Sequence, residues 1–438
     1  MRILLSFENL VAFGGTETYT LTVAMELDRL GHDVTIYSPQ HGAMAEFARN
    51  QGVRVIGRPE LPGSCDVVIS SDAATCHELT GRYRDAVRIF VAHSTDNALQ
   101  APPQLHDRCQ TIVVLNDRVR RAVEARAWHA PLVRLRQPID LYRFHDYGPG
   151  RSTARTALVL SNNLNGQRAT LIEDACRANG LNLTWVGAIT HQIPSPELAI
   201  ARADLVIGLG RSVLEAMSTG RAAYVYGVIG GDGWVTPERY SAMEADGFAG
   251  TATSDLPINA DRLADDLGHW NEQMGTANRD LACAHHSARE HAVELVNLAR
   301  NLHAFSSVEP SVSEELSHLI RLQWQEEGRL VASLAESNEL RGLLAEREVE
   351  AAALRAQLAE ALASTASLEG AVRAANAQLE AIRSTRRYRL ACRLAWPLDR
   401  ARAHFRRVRR QRPRPASRPP DVWATGDDSE HRPSTARH

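Results

Sequence analysis

The 438-residue chain contains no lysine, so all 50 of its basic residues are arginine. Without lysine it can neither form a Schiff base nor supply the lysine of an NTPase phosphate-binding loop. Its six cysteines show no C-x-x-C spacing, which argues against a disulfide framework and a zinc site. No apolar run approaches the roughly 20 residues of a membrane span, and Glu8 comes too early for a signal peptide. These absences predict a cytoplasmic protein that at most lies on a membrane surface.

Charge is unevenly distributed, although the formal net charge is only −2. Residues 383–418 contain fourteen arginines and a single acid, Asp399. Within 384–410 the arginines alternate with leucines at helical spacing and with aromatic residues, a pattern typical of a helix on an anionic lipid surface. Nucleic-acid contact and a solvated basic tail are the alternatives; we expect the membrane surface and no nucleic acid. Residues 411–438 have the composition of a disordered tail.

The first 300 residues alternate short apolar runs with helical patterns, which predicts an α/β fold with parallel sheets. A Gly- and Pro-containing stretch near residues 146–153 separates two similar halves, 1–147 and 153–305. A ligand is expected in the cleft between them. The predicted strands are Arg2–Phe7, His32–Ser38, Val53–Ile56, Val67–Ser70, Val87–His93, Thr111–Leu115, Ala157–Leu160, Leu183–Val186, Leu205–Leu209 and Ala222–Tyr226.

Residues 314–383 read as a coiled coil. Thirteen positions from Leu340 to Ile382 follow a strict 4-3 spacing, and eleven of them are Leu, Val, Ile or Ala. Such regularity over six heptads predicts a seam for another helix, so we expect a homo-oligomer. A lone amphipathic helix packed on the globular part is the alternative.

The segment 203–227 combines a buried strand, a glycine turn, a short helix that carries Glu215, and a second strand. A helix that begins at the carboxyl end of a parallel strand presents free N–H groups and a positive dipole end to an anionic ligand such as a diphosphate. Glu215, about one turn in, can accept hydrogen bonds from two adjacent hydroxyls, as on a ribose. The alternative interpretation is a solvated first-turn acid.

Several motifs occur in the order found in the GT-B nucleotide-sugar glycosyltransferases, and the chain resembles their retaining, family 4-like group over about residues 1–300. The matching pieces are Gly14–Gly15–Thr16–Glu17, the sequence GHDVTIYS, Gln137–Pro138–Ile139–Asp140 with Phe144, Gly230–Gly231, and Asp246–Gly247 with Gly250. The resemblance implies two Rossmann-like domains, a nucleotide-sugar co-substrate without a further cofactor, and a glycan or lipid-linked acceptor, as in cell-surface polysaccharide synthesis.

The resemblance also carries residue roles, with two departures. Glu215 matches the second family glutamate, which binds the nucleotide ribose, but the first would fall at Ile207. The family's arginine–lysine phosphate clamp aligns with Asn163 and Arg168, so one cation remains, and Arg211 at the glycine turn is the expected substitute. A surface salt-bridging role for Arg211 is the alternative.

The implied chemistry needs positive groups at a departing nucleoside diphosphate and no metal. Arg168, Arg211, the N-terminus at Ser212 and the amides of Gly14 and Gly15 are the candidates. His93 resembles the family's active-site histidine that contacts the donor sugar. In an inverting enzyme His93 or Asp96 would serve as general base.

The sequence also contains groups that suggest other kinds of site and other functions. His285, His286 and His291 could suggest a metal site, but a solvated helix face is the expectation. Trp234 lies in a glycine-rich stretch that reads as a sugar-stacking loop or a plain turn. The departures at Ile207 and in the clamp motivate an alternative function, a catalytically decayed module kept as a coiled-coil scaffold. A nucleotide-sugar epimerase on the same fold is a third possibility.

Overall fold

The protein is described by a computed structural model that covers residues 1–94, 97–105, 107–126, 130–148, 153–162, 164–187, 193, 195–227, 230–253, 260–304, 309–394, 400 and 402. The chain divides into two compact units, Met1–Ala332 and a second that begins at Ser333. Among the described residues, no helix has both the length and the apolarity needed to cross a membrane.

The first domain is a parallel sheet with helices on both faces. Its strands are β1 (Arg2–Ser6), β2 (Asn9–Leu10), β3 (Asp33–Tyr37), β4 (Gln40–His41), β5 (Arg54–Ile56), β6 (Val67–Ser70), β7 (Val87–Ala92), β8 (Thr111–Val114) and β9 (Leu132–Arg134). Its helices are α1 (Gly15–Arg29), α2 (Ala43–Asn50), α3 (Ala73–Arg82) and α4 (Asp117–Glu124). In the described part of the chain the main sheet has the order β5-β3-β1-β6-β7-β8-β9, while β2 and β4 form a separate pair.

Strand β1 shows why the first sheet is covered on both faces. Leu4 packs with Tyr37 and Leu79 on one side of the sheet, while Ile3 and Leu5 belong to a larger core on the other. Successive side chains of a strand point to opposite faces, so a continuous apolar run needs an apolar layer on each face. The apolar runs read from the sequence therefore mark buried parallel strands.

The second domain repeats this architecture. Its strands are β10 (Thr156–Leu160), β11 (Asn182–Val186), β12 (Leu205–Gly208), β13 (Ala222–Tyr226) and β14 (Gly231–Trp234), in the order β11-β10-β12-β13-β14. Its helices are α5 (Gly166–Ala178), α6 (Glu197–Arg202), α7 (Arg211–Ser218), α8 (Pro237–Ala245), α9 (Ala260–Gly268), α10 (Gln273–His285) and α11 (Ala288–Asn301). Pairing is parallel except for β14, which runs antiparallel to β13.

Two chain segments cross between the domains, and they are bonded to each other. Ile139, in the first crossing, donates its N–H to the carbonyl of His286 at 2.8 Å and accepts from the N–H of Ala288 at 3.1 Å. Beyond this bridge α11, which the sequence analysis assigned to the second half, packs Leu295 and its neighbours into the core of the first domain. The two crossings therefore form one paired connection.

A single helix, α12 (Pro310–Ser384), follows the second domain. In its first turns Ser313 and Ser317 are completely buried. Farther along, the seam residues are exposed, as Leu358 shows at 61% exposure. The predicted long helix is confirmed, whereas its association with another helix stays a prediction.

The predicted alternation of strands and helices and the parallel pairing are confirmed, with strand ends within one residue of the prediction. Four strands were not predicted from the sequence: the two-residue strands β2 and β4, the strand β9 and the antiparallel edge strand β14. Residues 386–394 of the predicted basic segment are helical, with Leu390 62% and Leu394 69% exposed. Most of the remainder of that segment, and the predicted tail, lie outside the described residues.

Candidate functional site

A cleft of about 720 Å³ separates the two domains. The first domain lines it with Phe13, Gly14 and Gly15, which lead into α1, and the second with Ser212 and other first-turn residues of α7. Both α1 and α7 follow the carboxyl ends of parallel strands, so their N-termini converge on one space. Two helix N-termini therefore direct positive dipole ends at that space, although the N–H of Ser212 itself donates to the carbonyl of Leu209 at 3.3 Å.

The loop before α1 is open because Gly14 has no side chain. A Cβ at Gly14 would collide with the carboxylate of Glu17, which folds back against the loop, whereas a Cβ at Gly15 would meet nothing within 4 Å. Burial raises the pKa of Glu17 to about 7. The glycine pair thus leaves backbone amides accessible at the rim of the cleft, with a weakly acidic carboxyl group beneath them.

The turn from β12 into α7 depends on Gly210. Its φ of +57° lies in the left-handed region that favours glycine, and its N–H donates to the carbonyl of Phe248 at 2.9 Å. Gly208 is closely packed as well, since a Cβ there would lie 2.9 Å from the carbonyl oxygen of Leu160. The turn places Ser212 at the wall of the cleft, where the sequence analysis expected it.

Arg211 and Glu215 form a buried ion pair in the first turns of α7. Nε of Arg211 donates to Oε1 of Glu215 at 3.0 Å, and each side chain is only 9% exposed. Burial raises the pKa of Glu215, opposed by the nearby charges of Arg211 and Arg143, and burial lowers the pKa of Arg211. Glu215 is therefore a buried cleft residue, and its interpretation as a solvated acid is wrong.

Arg211 also links the two domains. Its Nη1 donates to the carbonyl of Pro138 at 3.2 Å, and its Nη2 donates to Oγ1 of Thr22 on α1 at 3.1 Å. These bonds and the one to Glu215 use three of the five guanidinium N–H groups. The alternative of a surface salt-bridging arginine is thus correct about the salt bridge, which Arg211 makes with Glu215, but wrong about the surface position.

A second guanidinium, that of Arg143, lines the same cleft. Arg143 donates twice to Oε2 of Glu197, at 3.2 and 3.0 Å, and lies 5.4 Å from the ring centroid of Phe47. Sequence reasoning missed Arg143, although it precedes Phe144 in the passage that carried the resemblance. An arginine adjacent to a motif position near the domain boundary was the available signal.

His93 follows β7 and contacts a chain of buried polar groups instead of the lining of the cleft. Its Nε2 lies 3.2 Å from Oγ of Ser71, and its ring packs edge-to-face on Tyr19 at 4.6 Å. The Tyr19 hydroxyl in turn lies 2.8 Å from Nε2 of His291. Burial, followed by His291 and Arg211, lowers the pKa of His93 to about 3, so its imidazole is neutral at pH 7.

The remaining predicted phosphate-binding residues are less central in the structure. Arg168, on α5, donates from Nη1 to the carbonyl of Gly227 at 3.0 Å, beyond the end of β13. Asn163 and Asp96 lie outside the described residues. Ile207, where the family glutamate was expected, is fully buried in the core of the second domain.

Histidines and a tryptophan considered from the sequence have structural partners. Nδ1 of His286 lies 2.7 Å from the carbonyl of Gln137, and Nδ1 of His291 lies 3.0 Å from the carbonyl of Arg136. Both histidines are buried, so the expectation of a solvated face is wrong for them. Trp234 is buried in β14, which is inconsistent with a sugar-stacking loop. No group of three potential ligands for a metal occurs among the described residues.

Solved structures share this arrangement of domains. Anabaena HepE in complex with UDP and glucose matches with a TM-score of 0.51 and 11% identity, covering 69% of this chain and 100% of that one. HepE in complex with UDP-glucose matches with the same TM-score of 0.51 and 12% identity, covering 68% and 99%. No protein-family model and no curated protein sequence matches the chain. At this identity the likeness establishes the fold: two Rossmann-like domains in the GT-B arrangement, followed by α12.

Proposed function

We propose that the protein is a glycosyltransferase that transfers a sugar, hexosyl or related, from a nucleotide-sugar donor to a glycan or lipid-linked acceptor. The observation that carries the proposal is the interdomain cleft, on which two helix N-termini, two guanidinium groups and the buried carboxylate of Glu215 converge. HepE, which has the same fold, was crystallised in complex with UDP-glucose, and UDP-glucose is a donor of this chemical class.

In this proposal Glu215 binds the ribose of the donor. Oε1 of Glu215 accepts from Arg211, which fixes the carboxylate in the wall of the cleft and leaves Oε2 for a ligand hydroxyl. Because the pair is buried, a hydrogen bond from a ribose hydroxyl to the charged carboxylate is worth more than in water. Arg211 is thus a positioning residue for Glu215 as well as a charge beside the ligand.

The diphosphate would lie between the two helix N-termini. The amides of Gly14 and Gly15 face it from one domain, and the N-terminus of α7 at Ser212 faces it from the other. Arg211 has two N–H groups outside its three bonds, and Arg143 adds a second positive charge. These groups can stabilise the departing diphosphate without a metal ion. Asn163 and Arg168 remain proposed donor-binding residues.

His93 is proposed to act as a hydrogen-bonding group toward the donor sugar, which requires it to exchange its present contact with Ser71 for one with the ligand. A neutral imidazole has one donor and one acceptor nitrogen, which suits a sugar hydroxyl. Its low pKa argues against a role as a positively charged group at pH 7. Retention of configuration is part of the proposal; in an inverting enzyme the neutral His93 or Asp96 would accept the proton of the acceptor.

The C-terminal segments are proposed to set the location of this activity. The seam of α12 would form a homo-oligomer, and the arginine-rich residues 383–410 would hold a cytoplasmic enzyme at an anionic membrane surface. That location suits polysaccharide synthesis on a lipid-linked acceptor, with no role for nucleic acid.

The test measures the melting temperature of the full chain with UDP-, GDP-, dTDP- or ADP-glucose, and then the affinity of any donor that binds by calorimetry. We expect one donor to raise the melting temperature, since a ligand at 100 times its Kd adds about 2.7 kcal/mol. Glu215→Gln keeps the size of the side chain and is expected to weaken binding by about 2 kcal/mol, because it removes the charge that accepts the ribose hydroxyl. Glu238→Gln, on the exposed surface of α8, is the matched control.

A catalytically inactive scaffold is the second candidate, and the apolar Ile207 in place of a glutamate is the observation that favours it. The scaffold predicts that no donor binds and that no donor is hydrolysed at any concentration. Slow donor hydrolysis that Glu215→Gln abolishes and Glu238→Gln preserves would exclude the scaffold.

A further inference from the structure

A second pocket, of about 710 Å³, lies on the first domain. Ala73 and His77 of α3 form one wall, and the loop that includes Leu99 and Pro102 forms another. The third wall is α12, which belongs to neither Rossmann-like domain. The pocket therefore exists only because this chain adds a helix to the fold.

One face of α12 is directed at this pocket. Ile320, Gln323, Trp324 and Glu327 line it, and their spacing of three, four and seven residues places them on one side of a helix. Nε2 of Gln323 donates to Oε1 of Glu327 at 3.0 Å. The indole ring of Trp324 thus lies beside the carboxamide of Gln323 and the carboxylate of Glu327. Together they offer a flat apolar surface with hydrogen-bonding groups next to it.

The wall is fixed in place by buried charge. Nε of Arg321, the residue next to Ile320, donates to both carboxylate oxygens of Glu8, at 3.0 and 2.9 Å, and Nη2 of Arg321 pairs with Glu78. Ser317 is completely buried one turn earlier. Because Ser317 and Arg321 hold the helix along one flank of the pocket-lining face, this wall of the pocket is preorganised and a ligand need not order it.

His77 is the unusual group in this pocket. Its side chain is only 4% exposed, and its Nδ1 has no hydrogen-bond partner among the residues that the structure describes. Burial, and then the charge of Arg108, lowers the pKa of His77 to about 4, with Asp107 acting in the opposite direction. A neutral, buried imidazole nitrogen without a partner costs about 1–3 kcal/mol unless a ligand supplies one.

The pocket is connected to the cleft through its loop. Nε2 of Gln100 donates to Oγ1 of Thr16 at 3.1 Å, and Thr16 is adjacent to Gly15 at the rim of the cleft. Leu99, on the other side of Gln100, lines the second pocket. The loop that lines the second pocket is therefore bonded to the helix that begins at the rim of the cleft.

We propose that this pocket binds a neutral sugar unit of the acceptor, with the ring against Trp324 and a hydroxyl hydrogen-bonded to His77. The proposal rests on the proposed function, because it assigns the acceptor of that same reaction. A hydroxyl both donates and accepts, so it satisfies either nitrogen of a neutral imidazole. A lipid chain would fill the apolar part but leave the buried imidazole nitrogen of His77 without a partner, so the observations favour a saccharide.

The experiment measures binding of maltose, cellobiose, chitobiose and mannobiose to the full chain by saturation-transfer NMR, with calorimetry for any that bind. Farnesyl phosphate is the probe for an apolar occupant. We expect at least one disaccharide to bind and Trp324→Ala to weaken it by about tenfold or more. Trp324→Phe is expected to restore part of the affinity. Leu322→Ala, two residues from Trp324 on the outward-facing side of α12, is the matched control and should bind as the wild type does.

His77→Gln provides an independent readout. It replaces the imidazole with another neutral donor and acceptor, so we expect intermediate affinity, whereas His77→Phe should lose binding as Trp324→Ala does. The melting temperature of each variant checks its folding. The proposal is overturned if no disaccharide binds the wild type, if Trp324→Ala binds unchanged, or if only farnesyl phosphate binds in a Trp324-dependent manner.

Donor binding, measured in the same samples, separates this proposal from the proposed function. Trp324→Ala should leave nucleotide-sugar binding unchanged, while Glu215→Gln should leave disaccharide binding unchanged. Saccharide binding without donor binding would contradict the glycosyltransferase, and donor binding without saccharide binding would contradict only the acceptor pocket.

Discussion

The two ends of α12 reverse the usual distribution of polar and apolar residues. Near its beginning Ser313 and Ser317 are completely buried, whereas Leu358 and Leu368 near its far end are 61% and 64% exposed. Small serines at the near end permit close approach to α3, where a Cβ on Gly81 would lie 2.9 Å from Cβ of Ser313. Burial in this helix therefore depends on what lies against it: the near end packs on its own first domain, whereas the exposed leucine seam is predicted to pack against another helix.

Removal of the buried charge at the near end should have the largest effect. Arg321→Leu leaves Glu8 and Glu78 without their shared cation at side-chain exposures of 2% and 6%. Breaking a buried pair in this way costs about 3–5 kcal/mol of the free energy of unfolding, measured by urea denaturation. Arg329→Leu, which breaks an exposed pair with Glu326, should cost less than about 0.5 kcal/mol. Equal effects of the two variants would contradict the docking role of Arg321.

A charge in the far seam should act on association and not on folding of the first unit. Leu358→Glu places a carboxylate at a seam position, while Leu362→Glu places one off the seam at a similar exposure of 62%. We expect Leu358→Glu to weaken self-association by about 3 kcal/mol or more, over a hundredfold in Kd, by sedimentation equilibrium. Leu362→Glu should sediment as the wild type does. A monomeric wild type, or two variants with the same mass, would rule out the coiled coil.

The free energy of unfolding should also depend on pH through Glu8, the partner of Arg321 at the near end of α12. This effect should be no larger than those of the two preceding substitutions. Burial, with Asp72 and against Arg321, raises the pKa of Glu8 to about 7 from an ordinary 4.5. The contribution of Glu8 is then fully present below pH 4.5 and is lost as pH rises through 7. Glu8→Gln should remove that loss, about 3 kcal/mol, and should be seen as a shallower fall in unfolding free energy.

Buried histidines such as His93 titrate identically in the two proteins, so they cancel in the comparison of Glu8→Gln with the wild type. Parallel stability curves from pH 4.5 to 7 would show that Glu8 does not titrate in that interval.

Replacing a glycine with alanine should have the smallest effects on stability. The sign should differ between Gly81 of α3, which faces the near end of α12, and Gly342, which lies farther along α12. Gly81→Ala gains helix propensity but crowds Ser313 and the carbonyl of Pro310, so we expect a net loss of about 1 kcal/mol. Gly342→Ala, where a Cβ meets nothing within 4 Å, should stabilise its part of the helix by about 1 kcal/mol. Thermal unfolding followed by circular dichroism measures both, and stabilisation by Gly81→Ala would show that α12 is not tightly seated.

The sequence predicted those parts of the fold that depend on local pattern. Apolar runs between glycines located the parallel strands, because strands covered on both faces must be continuously apolar. The strand Gly231–Trp234 was missed because its two glycines give no strand signal and its pairing is set by β13. Glu215 could be proposed from its position in a helix turn.

The contacts that define the site were less accessible from the sequence. The partners of Arg211, at Thr22 and Pro138, are separated from it by 189 and 73 residues. Arg321 and Glu8 are 313 residues apart. Such pairings depend on the tertiary fold, which no periodicity encodes, and the same reason explains why Arg143 and Trp324 went unnoticed.

The paired crossing at Ile139 and His286–Ala288 constrains how the two domains can move. Because the two crossings lie side by side and are bonded to each other, we expect them to permit opening and closing of the domains about one axis and to resist twisting and sliding. A protease that cut only the first tether would leave the domains attached, because α11 remains embedded in the first domain. A change in the angle between the domains about this connection would therefore have to break or remake the bond from Arg211 to Thr22.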